Sequence, residues 1–123
     1  MPKTPAPPCT VQIPVWLSVE KGKVVATPDP VHIRAGQNEE VMWRSAEGVV
    51  DIKFKRGYSP FRRLDFHIPE GCGLTSGLPE VPKIRTGRKK GTRSNPQYRF
   101  DYGVVIKSRR GRFETDPGLV VDC

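Results

Sequence analysis

Apolar side chains in this chain recur at every second position and never settle into the three-to-four spacing of a helix, so the sequence is patterned for strands. The clearest case is VVDIKFK, where Val50, Ile52 and Phe54 alternate with Asp51, Lys53 and Lys55. VQIPVWLSV sets Val11, Ile13, Val15, Leu17 and Val19 against Gln12, Trp16 and Ser18, with Pro14 inside the run predicting an edge position because it lacks a ladder donor. Val31 and Ile33 oppose His32 and Arg34, and Val41 shares a face with Trp43. QYRFDYGVVI alternates Tyr98, Phe100, Tyr102 and Val104 with Arg99, Asp101 and Gly103, and GLVVD follows a basic turn; these two runs read as the last two strands. With 13 prolines and 12 glycines in 123 residues, turns join these runs, and an all-β sandwich or barrel is the expected class.

That length suits one domain. Residues 1–10 hold four prolines and no apolar period, which predicts an extended or disordered Pro-rich arm ahead of a β-sandwich domain over 11–123. Within it, GYSPF, IPEGCG, TSGLPEVP and TGRKKG make a long loop insertion over 56–96, with room for at most a short strand near Asp65 to Ile68. No stretch approaches the roughly 18 apolar residues of a membrane span, and the amino terminus has no apolar signal core, so the expectation is a cytoplasmic protein with no membrane partner. Three widely spaced cysteines, Cys9, Cys72 and Cys123, form no disulfide framework and suit a reducing compartment.

The order of DPVHIRAGQNEEVMWRS, VVDIKFK, the SPF at 59–61, YRFDYGVVI and DPGLVVD resembles the cupredoxin family over residues 11–122. The resemblance implies a single Greek-key β-sandwich of about seven strands; an immunoglobulin-like sandwich is the alternative. The expected core is Val15, Leu17, Ile33, Val41, Trp43, Ile52, Phe54, Phe61, Phe100, Tyr102, Val104 and Val120. Blue-copper members take a Cys, a His and usually a Met from the loop between the last two strands, and an upstream His. Residues 73–122 contain none of these three types, and Gly48 to Lys55 offers Asp51 and no histidine. The resemblance therefore implies the scaffold with no copper and no other cofactor.

Catalytic and metal motifs fare no better. Cys9, His32, His67 and Cys72 are the donor types of a zinc site, without the paired spacing one needs. Cys72 with His67 five residues before it suggests a thiol and a base, yet no third group orients the histidine. Glu39 and Glu40 read as a solvated turn, and GCGLTSG has no following helix to hold a phosphate. The chain is expected not to be an enzyme.

Charge gives the strongest functional signal. Residues 83–112 hold eleven basic residues against the single acid Asp101, a net +10, while the rest of the chain carries −2. KIRTGRKKGTR reads as a flexible basic loop and KSRRGR as a second basic turn, separated by a ten-residue strand of roughly 30 Å. Arg88, Lys89, Lys90, Arg93, Arg109, Arg110 and Arg112 are the candidate partner-binding residues, with Tyr58 and Leu74 adding apolar contacts. The leading expectation is a non-catalytic protein-binding or structural subunit whose protein partner presents an acidic surface. A nucleic-acid-binding accessory protein using the basic loops 83–93 and 107–112 is the alternative, and a solvated, solubilising loop is the reading without a partner.

Overall fold

In the computed structural model, which describes residues 9–123, the chain is all β, with twelve strands and one short helical turn. Most of the proline-rich arm lies outside the described residues. The strands are β1 (Val11–Glu20), β2 (Lys23–Thr27), β3 (Val31–Arg34), β4 (Glu39–Ser45), β5 (Val49–Lys53), β6 (Asp65–Ile68), β7 (Gly73–Thr75), β8 (Arg88–Gly91), β9 (Pro96–Asp101), β10 (Gly103–Ser108), β11 (Gly111–Thr115) and β12 (Gly118–Asp122), with α1 spanning Val81–Ile84. They form three four-stranded sheets, ordered β2-β1-β4-β7, β3-β12-β9-β8 and β11-β10-β5-β6. Pairing is antiparallel except for β1 with β4 and β3 with β12.

Alternation places the core. Val15, Leu17 and Val19 of β1, Val41 and Trp43 of β4, Val50 and Ile52 of β5, and Val104 and Ile106 of β10 turn inward into one apolar cluster. Trp43 lies at its centre, with ring centroids 4.9 Å from Phe66, 5.7 Å from Tyr102, 6.2 Å from Phe54 and 6.3 Å from Phe61. Its indole N–H donates to the Tyr102 hydroxyl at 3.3 Å, and burial pushes that hydroxyl up to about 12, so it stays neutral and able to accept at physiological pH. Every expected core residue is buried, but Val120 lies on the face of β12 opposite Leu119 and Val121 and outside the main cluster.

Five expectations are corrected. The strand count exceeds seven in part because the segment 56–96, expected to be loop with one short strand, also holds β7 and β8, with α1 between them. Strands of three or four residues are too short to show a period, and backbone pairing with a neighbour holds them. The run from Gln97 to Ile106 is two strands: the chain leaves one sheet after Asp101 and enters another at Gly103. The end of the basic turn KSRRGR, with the FET that follows it, pairs with β10 as β11. Glu39 and Glu40 are buried rather than solvated: Glu39 accepts the Arg34 backbone N–H at 3.0 Å and its Nε–H at 2.7 Å, closing the β3–β4 turn, and Glu40 accepts the Gln12 side-chain N–H at 3.4 Å. Pro14 sits in a strand that is internal overall, but residues 11–15 reach past the end of β2 and have β4 alone beside them, so the missing donor costs no ladder bond there.

Candidate partner-binding face

The expected basic residues divide into two groups on different sheets. Arg88, Lys89 and Lys90 form β8, paired to β9 with Arg88 opposite Arg99, Lys89 opposite Tyr98 and Lys90 opposite Gln97. The loop expected to be flexible is thus a helical turn, an edge strand and a hairpin. Gly91, at φ 82°, closes the hairpin where a side chain would strike the Asn95 carbonyl. Arg93 lies on its exposed tip. The other group, Arg109, Arg110 and Arg112, sits on the β10–β11 hairpin in the sheet β11-β10-β5-β6, which the chain enters after β9.

Their partners separate them further. Arg110 is a structural strap: it grips Glu47 with Nε at 2.9 Å and Nη2 at 2.6 Å, and Nη2 also donates to the Val19 carbonyl at 3.0 Å. This bidentate pair holds the Glu47 carboxyl below its usual range and raises Arg110 in turn. Arg112 pairs with Glu114. Among the described residues Lys89, Lys90, Arg93 and Arg109 have no ion pair.

The strap makes a prediction. Because the Glu47 carboxyl is lowered from 4.5 in the folded chain, its contribution is present above that value and fades as pH falls through the lowered one. Glu47→Gln is expected to melt below the wild type at neutral pH and to converge with it in acid below about 4.5. A thermal melt series by circular dichroism checks this; a constant gap down to strong acid would refute the strap.

Around β8 the structure gathers basic residues that the sequence reading left out. Lys55 and Tyr58, from the segment after β5, join Arg88, Arg99 and Asp101 around a cleft of about 250 Å³. Arg88 and Arg99 both reach the Asp101 carboxylate, at 2.9 and 3.2 Å, and Arg99 lies flat across Gly118, where any side chain would displace its guanidinium. Directly beside it, Arg56, Arg62 and Lys83 line a second cleft of about 210 Å³ with no acidic residue in its wall. The segments Lys55–Ser59 and Lys83–Arg88 contribute to both clefts, so the two adjoin. Together they present six cations against one carboxylate.

Tyr58 is 53% exposed, with the Lys55 ammonium 5.3 Å from its ring centroid. Leu74, the other expected apolar contact, is instead turned toward the core opposite Trp43. A signal for the missed residues was present: KFKRGYSPFRR carries five bases and no acid over residues 53–63.

Reactive groups do not converge. His67 pairs with Asp51 at 2.7 Å and His32 with Asp122 at 3.3 Å, on separate sheets. The three cysteines are free and exposed, and among the described residues no three His, Cys, Asp or Glu side chains cluster as metal ligands. Among those residues, too, no helix is long and apolar enough to cross a membrane. No protein-family model matches the chain, and no curated protein or solved structure matches it either.

Proposed function

We propose that this chain is a non-catalytic protein-binding module of the cytoplasm, a copper-free cupredoxin-like β-sandwich whose partner presents an acidic surface to the face around β8. The observation that carries the reading is the pair of adjoining clefts, where Lys55, Arg56, Arg62, Lys83, Arg88 and Arg99 meet one carboxylate. Like charges gathered this way repel one another, and an acidic partner relieves the repulsion while being steered to the site. The Greek-key reading draws support from β1 lying antiparallel to β2 and parallel to β4, alongside the all-antiparallel run β6-β5-β10-β11.

One observation favours a second reading. An exposed tyrosine in the wall of a cationic cleft is also an arrangement that can stack a base beside bound phosphates, so single-stranded nucleic acid is the alternative ligand.

A tagged chain used as bait, with and without nuclease, separates the two. The expected result is an acidic protein retained in fixed ratio after nuclease treatment. Loss of all retained material on nuclease treatment would replace the protein reading with the nucleic-acid one.

A further inference from the structure

We propose that β8 is a docking edge, on which an extended acidic segment of a partner protein adds one strand to the sheet β3-β12-β9-β8. The proposal rests on the protein-binding reading above and names how the partner is held. Six strands end the three sheets, and five of them lie against a strand of another sheet: β2 meets β11, β6 meets β7, and β3 packs on β4. Among the described residues β8 has no comparable contact with a strand of another sheet, and all four of its residues are exposed.

The backbone direction follows from one hydrogen bond. The Cys123 N–H donates to the Pro96 carbonyl at 3.0 Å, so Pro96 faces β12. Backbone groups in an antiparallel strand point alternately to its two neighbours. Tyr98 therefore also faces β12, while Gln97 and Arg99 face β8. Lys89 stands opposite Tyr98, in a pair that exchanges no hydrogen bonds, so its own N–H and C=O point out of the open edge. An unpaired donor and acceptor on a sheet edge are the template for strand addition.

Side chains select the occupant. Arg88 and Lys90 project from one face of β8 and Lys89 from the other, since side chains alternate along a strand. A second copy of this edge would set arginine and lysine against arginine and lysine, which is repulsive. A neutral strand would gain no charge pairing with the three cations. Carboxylates on the incoming strand match them, so the lysines that keep the edge from pairing indiscriminately also define what it accepts.

The probe is a capped octapeptide alternating glutamate and valine, titrated into the full chain, with the same peptide N-methylated at alternate residues in each of the two registers. Binding is expected to slow exchange of the Lys89 amide by about tenfold or more, and methylation in one register to abolish that protection. Lys89→Pro removes the outward donor and leaves the bonds to β9 in place. It is expected to weaken the peptide about tenfold, the equivalent of one net backbone hydrogen bond, while Lys89→Gln weakens it less. The methylated peptides supply the same test on the unaltered chain if Lys89→Pro does not fold.

Equal binding of methylated and unmethylated peptide, no peptide binding, or self-association of the chain through β8 would overturn the proposal. So would preferential binding of a single-stranded oligonucleotide with the Lys89 amide left unprotected. If Lys89→Pro retains the acidic protein found with the nuclease-treated bait while neutralising the clefts releases it, strand addition is wrong and the protein-binding reading stands. If the nuclease-treated bait retains no protein, that reading falls too.

Discussion

Replacing Trp43 by alanine is expected to lower the free energy of unfolding by about 3–5 kcal/mol, a large share of the roughly 5–15 kcal/mol that holds a domain together. Trp43 is fully buried and touches four other aromatic rings, contributed by segments far apart in the chain. Deleting the indole opens a cavity among Phe54, Phe61, Phe66 and Tyr102 and takes away the N–H that the Tyr102 hydroxyl accepts. Trp43→Phe keeps a ring and loses that donor, so its cost is expected to fall between about 1 and 3 kcal/mol. Urea titrations with an unchanged slope would measure both. A loss under about 1 kcal/mol for Trp43→Ala would show that the aromatic cluster is not the centre of the core.

Neutralising the second cleft is the largest expected effect on binding. Arg56→Ala, Arg62→Ala and Lys83→Ala together remove three cations from a wall that holds no acid, and Lys83 alone among them has an ion pair, a long 4.0 Å one to Glu80. Stability should therefore change little. Affinity for an acidic protein partner is expected to fall about 10- to 100-fold at low salt, with the difference narrowing as salt is raised. For a single-stranded oligonucleotide the same variant is expected to flatten the slope of log affinity against log salt by about two, from three lost phosphate contacts. Isothermal titration at four salt concentrations reads both outcomes, and unchanged affinity for either ligand would remove the clefts from the binding site. Arg110→Ala serves as the contrasting change: it lowers the melting temperature through the lost Glu47 strap and leaves affinity alone.

The strands legible in the sequence are those long enough to repeat their period. Val50, Ile52 and Phe54 announce β5, and Leu17, Val41 and Ile33 are buried where alternation puts them. Strands β7 and β8 run three and four residues, about one side chain or two per face, and only the neighbour beside them makes them strands. Tyr102 continues the alternation of Tyr98 and Phe100 without a break, so nothing local marks the change of sheet there. Glu39 reads as a surface acid until Arg34 is seen to fold back on it.

The candidate site was half legible for a related reason. Composition located positive charge at 83–93 and 107–112, but a charge count does not say whether a carboxylate waits across the fold. Glu47 captures Arg110 from 63 residues away and turns it into a strap. Lys55, Arg56 and Arg62 were overlooked because the chain outside 83–112 carries a net −2, an average that hid a second basic run destined to lie beside the first.

By itself the sequence determined the class of structure and the faces of its longer strands. Side-chain alternation and turn residues act between near neighbours, and those forces are complete in the local sequence. Only the tertiary structure decided that the chain makes three sheets, that among the described residues β8 packs on no strand of another sheet as closely as the other five sheet-end strands do, and which cations stay unpaired. Those outcomes depend on backbone hydrogen bonds and Coulomb contacts between residues distant along the chain, and no local pattern encodes a partner that folding alone brings near.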